Sequence, residues 1–341
     1  MAQKDEGELT VATLADVAAR SGYSVMTTSR VLSGKGYASP KTREAVLAAA
    51  RELGYVPNDV ARSLRNSRTS SVALIISDIE NSFYATIARS AEEALRPAGY
   101  RLFVASSDED ADRELEALRG AREMRAAGVL ITPTPRNHQA LQALSNDGVP
   151  LVQLDRIVEG LEAPAVVLDN AGAAQTAVEY LADHGHRRIA VVTGPHETTT
   201  GIERAQGALR AAEQLKFARD MTLVEAPSYL HEGSVDAVRE ALAWNPTAIL
   251  AGNNIVLEAC LAVFTESHVR VPDDVSLISF DDVPWMRWVT SPITAVRQPV
   301  QAMTEAAVHT LLGAFNETHT GPSSPVRFRA DLVERESVAR V

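Results

Sequence analysis

Short apolar runs in this 341-residue chain are followed, again and again, by residues able to hold a small polar molecule. Asp78 and Asn81-Ser82-Phe83-Tyr84 come after Val72–Ile76, and Asp155-Arg156 after Leu151–Leu154. Later runs lead into Asp169-Asn170, the stretch 194–204 ending in Arg204, Ser228-Tyr229, Asn253-Asn254 and Phe280-Asp281-Asp282. Carboxylates and carboxamides accept hydrogen bonds from hydroxyls, a guanidinium holds them in place, and an aromatic ring covers the apolar face of a bound ring. This inventory suits a sugar or another polyol. An Asp behind a strand often caps the next helix instead, and Asp155 and Asp169 are open to both roles. A second set, nearer the front, suits nucleic acid. Asn58 through Asn66 is short and basic at one end, with Leu64 between Arg62 and Arg65. Minor-groove binders use an apolar wedge between base steps and cations for phosphates. The plainer alternative for Leu64 is a place in a small core.

Other chemistries leave no trace. The spacings of dinucleotide loops, P-loops, zinc proteases and serine-hydrolase elbows do not occur, and no acid and base are paired for catalysis, so the expectation is no enzyme and no cofactor. His184-Gly185-His186 has no Cys or third His at ligand spacing, and reads as a loop ending a helix rather than a metal site. Cys260 lies in an apolar helical run and reads as a buried structural thiol, in keeping with a reducing compartment. Trp285 and Trp288 fit lobe packing or cleft lining equally, and Asp108-Glu109-Asp110 reads as a solvated helix start.

The elements that must position these residues fall into two classes. At the front, Thr13 caps a helix whose Leu14, Val17 and Ala18 share a face and which Gly22 ends; Ser24 caps a second, 25–32; Ser39 and Pro40 open a third that runs to Gly54. Two short helices joined by a tight turn form a helix-turn-helix, with Val31 and Leu32 inward and Val25, Met26, Thr27 and Arg30 outward. Beyond the linker 68–71, strands alternate with amphipathic helices, and the alternation restarts near Val166. Strands apolar throughout and interleaved with helices signal parallel sheets covered on both faces. Ligands in such sheets bind beyond the carboxyl ends of the strands, where the polar residues stand.

Leu14-Ala15-Asp16-Val17-Ala18, Thr27-Thr28-Ser29-Arg30-Val31-Leu32, and Tyr55-Val56-Pro57-Asn58 through Ala61-Arg62-Ser63-Leu64 resemble the LacI/GalR family of bacterial repressors, in order and at family spacing. The similarity continues to Leu332-Val333-Glu334-Arg335-Glu336-Ser337. It implies an N-terminal all-α helix-turn-helix head plus an α/β two-lobed, periplasmic-binding-protein-like body with parallel sheets. The implied divisions are a head at 10–57, a hinge helix and linker at 58–70, and an effector-binding and dimerisation body at 71–341. Lobe 1 would span about 71–165 plus 299–325, and lobe 2 about 166–298 plus 326–341, the helix near 300–312 returning to lobe 1 and the strand 327–333 to lobe 2.

The resemblance implies a repressor that grips a pseudo-palindromic operator as a homodimer. Thr13, Ser24, Val25, Met26, Thr27, Ser29 and Arg30 of the head and Asn58, Ala61, Arg62, Leu64 and Arg65 of the hinge would meet DNA. Arg204 matches the family's effector anchor, Asp281 the Asp of the opposite wall, and Asn253 and Asp155 the Asn and Asp behind their strands. Phe83 and Tyr229 match its stacking aromatics, with Tyr84 beside them. Two departures stand out. Asn254 replaces a usual Asp, and the apolar pair Val25-Met26 occupies base-reading positions, which leaves Arg30 as the best polar reader. The alternatives are a solute-binding transport protein and a corepressor-dependent, purine-type regulator.

Charge agrees with this division. Up to Ser70 there are ten basic against seven acidic residues, and beyond it 23 against 37. An acidic body repels a polyanion, so nucleic-acid contact belongs to the head. No apolar run suits a signal peptide or a membrane span, and the expectation is a cytoplasmic protein without membrane contact.

Overall fold

The computed structural model describes residues 12–32, 37–55, 69–315 and 324–341. The hinge residues Asn58, Ala61, Arg62, Leu64 and Arg65 therefore lie outside the described residues. The chain divides into a unit up to Thr69 and a unit from Ser70 onward.

In the first unit, helices α1 (Leu14–Ser21), α2 (Val25–Leu32) and α3 (Pro40–Glu52) enclose a core of Val17, Val31, Val46, Ala49 and Ala50. Thr13 and Asp16 form a reciprocal capping box, with the Thr13 N–H donating to the Asp16 carboxylate at 2.8 Å. Gly22 ends α1 at φ 75°, a left-handed conformation that glycine adopts without steric cost. Ser39 caps α3 and Pro40 fills its first position, where a missing N–H does no harm. Leu14 is half-buried, and Val17 and Ala18 are fully inside.

The second unit contains two six-stranded sheets. The first is built from β1 (Ser71–Ile76), β2 (Arg101–Ser106), β3 (Gly128–Ile131), β4 (Leu151–Leu154), β5 (Ala165–Leu168) and a late strand, Val326–Phe328, in the order late strand-β5-β4-β3-β1-β2. Helices α4 (Ser82–Leu95), α5 (Ala111–Glu123) and α6 (His138–Asn146) connect its strands. The second sheet runs through β6 (Ile189–Thr193), β7 (Met221–Glu225), β8 (Ala248–Ala251), β9 (Ser276–Phe280) and β10 (Thr294–Arg297). It is connected by α7 (Asn170–Asp183), α8 (Thr199–Gln214), α9 (His231–Ala243) and α10 (Asn254–Ser267). Then α11 (Val300–Phe315) returns to pack on β3, β4 and β5, β11 is the late strand Val326–Phe328, and β12 (Asp331–Val333) lies antiparallel to β10. The other pairings are parallel.

One apolar cluster joins the two lobes, running from Leu74, Leu130 and Val152 to Val191, Leu250, Ile278 and Phe280. Each sheet has a further cluster on its other face, under α5 and α6 in the first lobe and α9 and α10 in the second. The lobes are therefore halves of one folded unit, and chain crosses between them after β5, after β10 and between β11 and β12.

Two boundaries differ from the sequence expectation. The strand at Val166 belongs to the first lobe, where Gln153 pairs with Ala165 and Leu154 with Val166. No helix separates β4 from β5, so the strand–helix alternation breaks before the chain changes lobe. The run 327–333 is two strands: Arg327 pairs with Val167 in the first sheet and Leu332 with Val296 in the second. β2 also departs from the all-apolar, buried pattern. As an edge strand it exposes Phe103 (47%) and Val104 (40%).

Helices α7 and α8 pack closely because Gly207 faces the backbone of Ala171; a Cβ there would fall on the Ala171 carbonyl oxygen. Gly207→Ala is expected to cost about 1–3 kcal/mol, the usual penalty of overpacking. A lower melting temperature and denaturation midpoint would check it.

Candidate functional site

The residues behind the strand ends meet in one cleft between the lobes. Phe83 and Tyr84 from the start of α4, Asp155 behind β4, Arg204 from α8, Tyr229 behind β7, Asn253 behind β8 and Asp281 behind β9 all line it, joined by Asp78, Asn81, Glu109, Arg156, Thr200 and Gln298. The free space among them is only about 20 Å³, room for one water molecule. Phe83, Asp281 and Gln298 also border a neighbouring space of about 500 Å³.

Local backbone aims these groups. Asp155 and Asp281 occupy matching places behind β4 and β9, both left-handed at φ 71° and 67°, a region Asp tolerates better than most side chains. Asn81 caps α4, accepting from the Phe83 N–H at 2.9 Å, and Asn253 caps α10, accepting from the Val256 N–H at 2.8 Å. Asp169 caps α7 through the Gly172 N–H at 3.0 Å, which settles it as the structural alternative. Gly194 behind β6 leaves the space that the Tyr229 ring fills.

Arg204 is buried and held on three sides. Its Nε donates to Asn170 Oδ1 at 2.8 Å, its Nη1 to the Gly252 carbonyl, and its guanidinium lies 4.2 Å from the Phe280 ring centroid. Arg156, whose side chain is 4% exposed, donates from both terminal nitrogens to the two Glu109 oxygens at 2.7 Å each. It also lies 5.2 Å from the Tyr229 ring centroid, across the cleft. Glu109 reaches Arg156 from a turn in which Asp108 and Glu109 are both left-handed.

Further contacts tie the lobes together. Asn254 Nδ2 donates to Asn81 Oδ1 at 3.1 Å, the Ile157 N–H to Thr199 Oγ1 at 3.1 Å, and Arg327 to Glu203 through two bonds at 2.8 and 3.1 Å. Asn254 thus bridges the cleft with a donor that a carboxylate would lack, while its N–H and Gln298 Nε2 donate to Asp281 at 3.3 and 2.7 Å. Asp155 Oδ1 and Gln298 Oε1 are buried acceptors without partners among the described residues. Such acceptors fit a ligand that donates.

Burial sets the acid chemistry. It raises Asp155 to about 6, against the opposing pull of Arg156 and Arg204. It raises Asp281 too, opposed by Arg204 and by the hydrogen bonds from Gln298 and Asn254. Burial alone would raise Glu109 as well, but the charge and hydrogen bonds of Arg156 more than offset it and hold it below the ordinary carboxylate range.

The sequence reading missed Glu109 and Gln298, whereas Asn170 and Thr200 fall within the stretches behind strands that it singled out. The acidic run 108–110 is a solvated helix start only in part. Asp110 caps α5 and Asp108 pairs with Arg113, but Glu109 turns inward. A buried Arg156 directly behind Asp155 demands a carboxylate partner, and that was the available signal. Trp285 packs against the second-lobe core and Trp288 is 78% exposed, so neither lines the cleft. The thiol of Cys260 is buried and raised by burial. His186 spends its ring nitrogens on Thr247 Oγ1 and the Ala339 carbonyl, both at 3.0 Å, and no metal-binding cluster occurs among the described residues.

On the head, Val25 (49%) and Met26 (73%) are exposed, as are Thr13, Ser24 and Arg30, whereas Thr27 and Ser29 are half-buried. Ser24 caps α2 through the Thr27 N–H at 3.2 Å, and Thr28 turns inward.

Two family models match: "Bacterial regulatory proteins, lacI family" over residues 13–58 and "Periplasmic binding protein-like domain" over residues 178–338. The ribose operon repressor of Bacillus subtilis is 33% identical over 90% of this chain and 93% of its own length. The transcriptional regulator CelR of Thermobifida fusca is 34% identical over 95% and 98%. A solved CelR–cellobiose complex is 30% identical over 96% and 99%, with a TM-score of 0.71. The lac repressor dimer bound to operator and an anti-inducer shares the fold, with a TM-score of 0.83 at 24% identity over 97% of this chain and all of that one.

The raised Asp155 yields two opposite pH trends. Hydroxyls of a small molecule held in this cleft would donate to the ionised carboxylate, so the affinity of such a molecule should be full above about pH 6 and fall as pH drops through it. Stability should run the other way. The cost of burying ionised Asp155 is absent below its ordinary value of 3.8 and fully present above about 6, so the contribution of Asp155 to the melting temperature, read as wild type minus Asp155→Asn, declines across that window. Asp155→Asn should flatten both trends, measured by calorimetry and thermal unfolding across the same range.

Proposed function

The chain belongs to the LacI family of bacterial regulatory proteins, and on that premise we propose that its hold on operator DNA is set by a sugar or polyol bound between the lobes. As a family member it regulates transcription by binding DNA, and it is not an enzyme. The convergence of Phe83, Tyr84, Asp155, Arg204, Tyr229, Asn253 and Asp281 on one cleft carries the effector reading. Acceptors on both lobes, guanidinium groups held by other residues and aromatic walls make a surface for hydroxyls and a ring face. Relatives named for ribose and cellobiose support that class.

In this proposal the head meets the major groove through Thr13, Ser24, Val25, Met26, Thr27, Ser29 and Arg30, and the hinge meets the minor groove through Asn58, Ala61, Arg62, Leu64 and Arg65. Effector binding alters the angle between the lobes and so the spacing of two hinges in a dimer. A hundredfold change in operator affinity needs about 2.7 kcal/mol of coupling, within the ordinary allosteric range. The transport-protein alternative gives no use to a DNA-binding head. A DNA-binding role sets the protein in the cytoplasm; among the described residues no helix is long and apolar enough to cross a membrane. The second chain of the dimer docks, in this reading, on the β2 edge, where Phe103 and Val104 are exposed.

A thermal-shift screen of pentoses, hexoses, inositol and nucleobases, followed by operator-binding titrations with each hit, tests the proposal. No shift with any sugar or polyol would overturn the effector class, and a nucleobase hit would turn the reading to the corepressor alternative. Arg204→Ala should abolish the effector's influence on operator affinity while leaving operator binding itself intact. Val104→Asp should shift the sedimentation of the protein from dimer to monomer.

A further inference from the structure

The cleft is lined by four carboxyl groups, Asp78, Glu109, Asp155 and Asp281, and two guanidinium groups, Arg156 and Arg204. Arg204 lies in the field of Asp155 and Asp281, the two acids whose ionisation it favours. Its Nε and Nη1 are committed to Asn170 and Gly252. Arg156 is the cation a phosphate or carboxylate ligand would seek, because a guanidinium presents a planar fork that matches either group. The terminal face of that fork is already filled: both Glu109 oxygens meet Nη1 and Nη2 at 2.7 Å, in a bidentate arrangement an anionic ligand would need. Only Nε is left as a buried donor without a hydrogen-bond partner among the described residues, a single bond that a neutral hydroxyl can accept.

We propose that Glu109 makes this effector site selective by charge, by occupying the anion seat on Arg156 so that the cleft takes a neutral polyhydroxylated ligand and rejects its phosphate ester. The inference rests on the reading of the cleft as the effector site and adds a specificity residue to it. Three observations converge on Glu109. It is the Arg156 partner, it comes from a left-handed turn at Asp108 and Glu109 that aims it inward, and it widens the excess of carboxyl groups over cations in the cleft from three against two to four against two. Bringing a further negative charge into such a space places like charges together in a low-dielectric site, which opposes binding. Neutral hydroxyls meet no such barrier, and they can donate to the unpartnered Asp155 Oδ1.

The test uses the full chain and three probes, D-ribose, D-ribose 5-phosphate and inorganic phosphate, with chloride at matched ionic strength as the control. For the wild type, ribose should raise the melting temperature and neither anion should. In Glu109→Gln the preference should move toward ribose 5-phosphate by about tenfold or more, and inorganic phosphate alone should become stabilising. Glu109→Asp, which keeps the charge, should keep the exclusion, a result that a merely structural role for Glu109 would not give. Where Glu109→Gln, or Glu109→Ala as a second neutral variant, is too unstable to fold in chloride, phosphate should restore its folding. The proposal is overturned if the wild type takes ribose 5-phosphate as well as ribose. It is equally overturned if phosphate neither stabilises nor rescues the neutral variants. A wild type indifferent to ribose counts against a pentose effector, while the phosphate arm on the variants still decides the role of Glu109.

Discussion

A buried guanidinium cannot be left alone. Removing a charge from water costs several kcal/mol even after the surroundings relax, and the cost is recovered only by good geometry and satisfied hydrogen bonds. The cleft contains two such groups, and most of its architecture can be read as the set of partners they require. Arg204 takes a carboxamide, a backbone carbonyl and an aromatic face; Arg156 takes a carboxylate and a second aromatic face. These partners come from both lobes and from loops far apart in sequence, so the electrostatic requirement of two side chains fixes the mutual position of many elements.

The same logic links the site to the fold. Asn170, the first residue of α7, holds Arg204 through its oxygen and approaches Glu203 with its nitrogen at 3.5 Å, while Glu203 accepts two bonds from Arg327 on β11. A path of hydrogen bonds thus runs from the cleft to one of the crossings between the lobes. The lobes share one apolar cluster, so a change in their angle repacks a continuous interior rather than sliding two finished surfaces.

Much of this was legible in the chain. Apolar runs followed by Asp, Asn or an aromatic mark strand ends, and parallel sheets gather strand ends on one side, so the sequence itself assigns Asp155, Asn253 and Asp281 to a single cleft. Thr13, Gly22, Ser39 and Pro40 punctuated the head in the same direct way. Residues whose role depends on tertiary approach were not legible. Glu109 looks like its neighbours Asp108 and Asp110, and only its tertiary approach to Arg156, from a left-handed turn that it shares with Asp108, separates it from them. Gln298 lies past β10 with no local signal, yet it donates to Asp281. The lobe assignment of Val166 failed for a topological reason, because β5 follows β4 through a loop with no helix to mark the connection.

The narrowness of the cleft bears on time as well as affinity. On the proposed effector reading, a sugar seated among Asp155, Arg204 and Tyr229, where there is now room for a single water molecule, would part the lobes, break the Asn81–Asn254 bridge and draw Tyr229 from Arg156. Motions of that kind take microseconds to milliseconds, far slower than a small molecule's diffusion to the surface. On that reading the response rate follows how often the protein opens, and brief fluctuations in effector concentration would be averaged away before they reached the DNA.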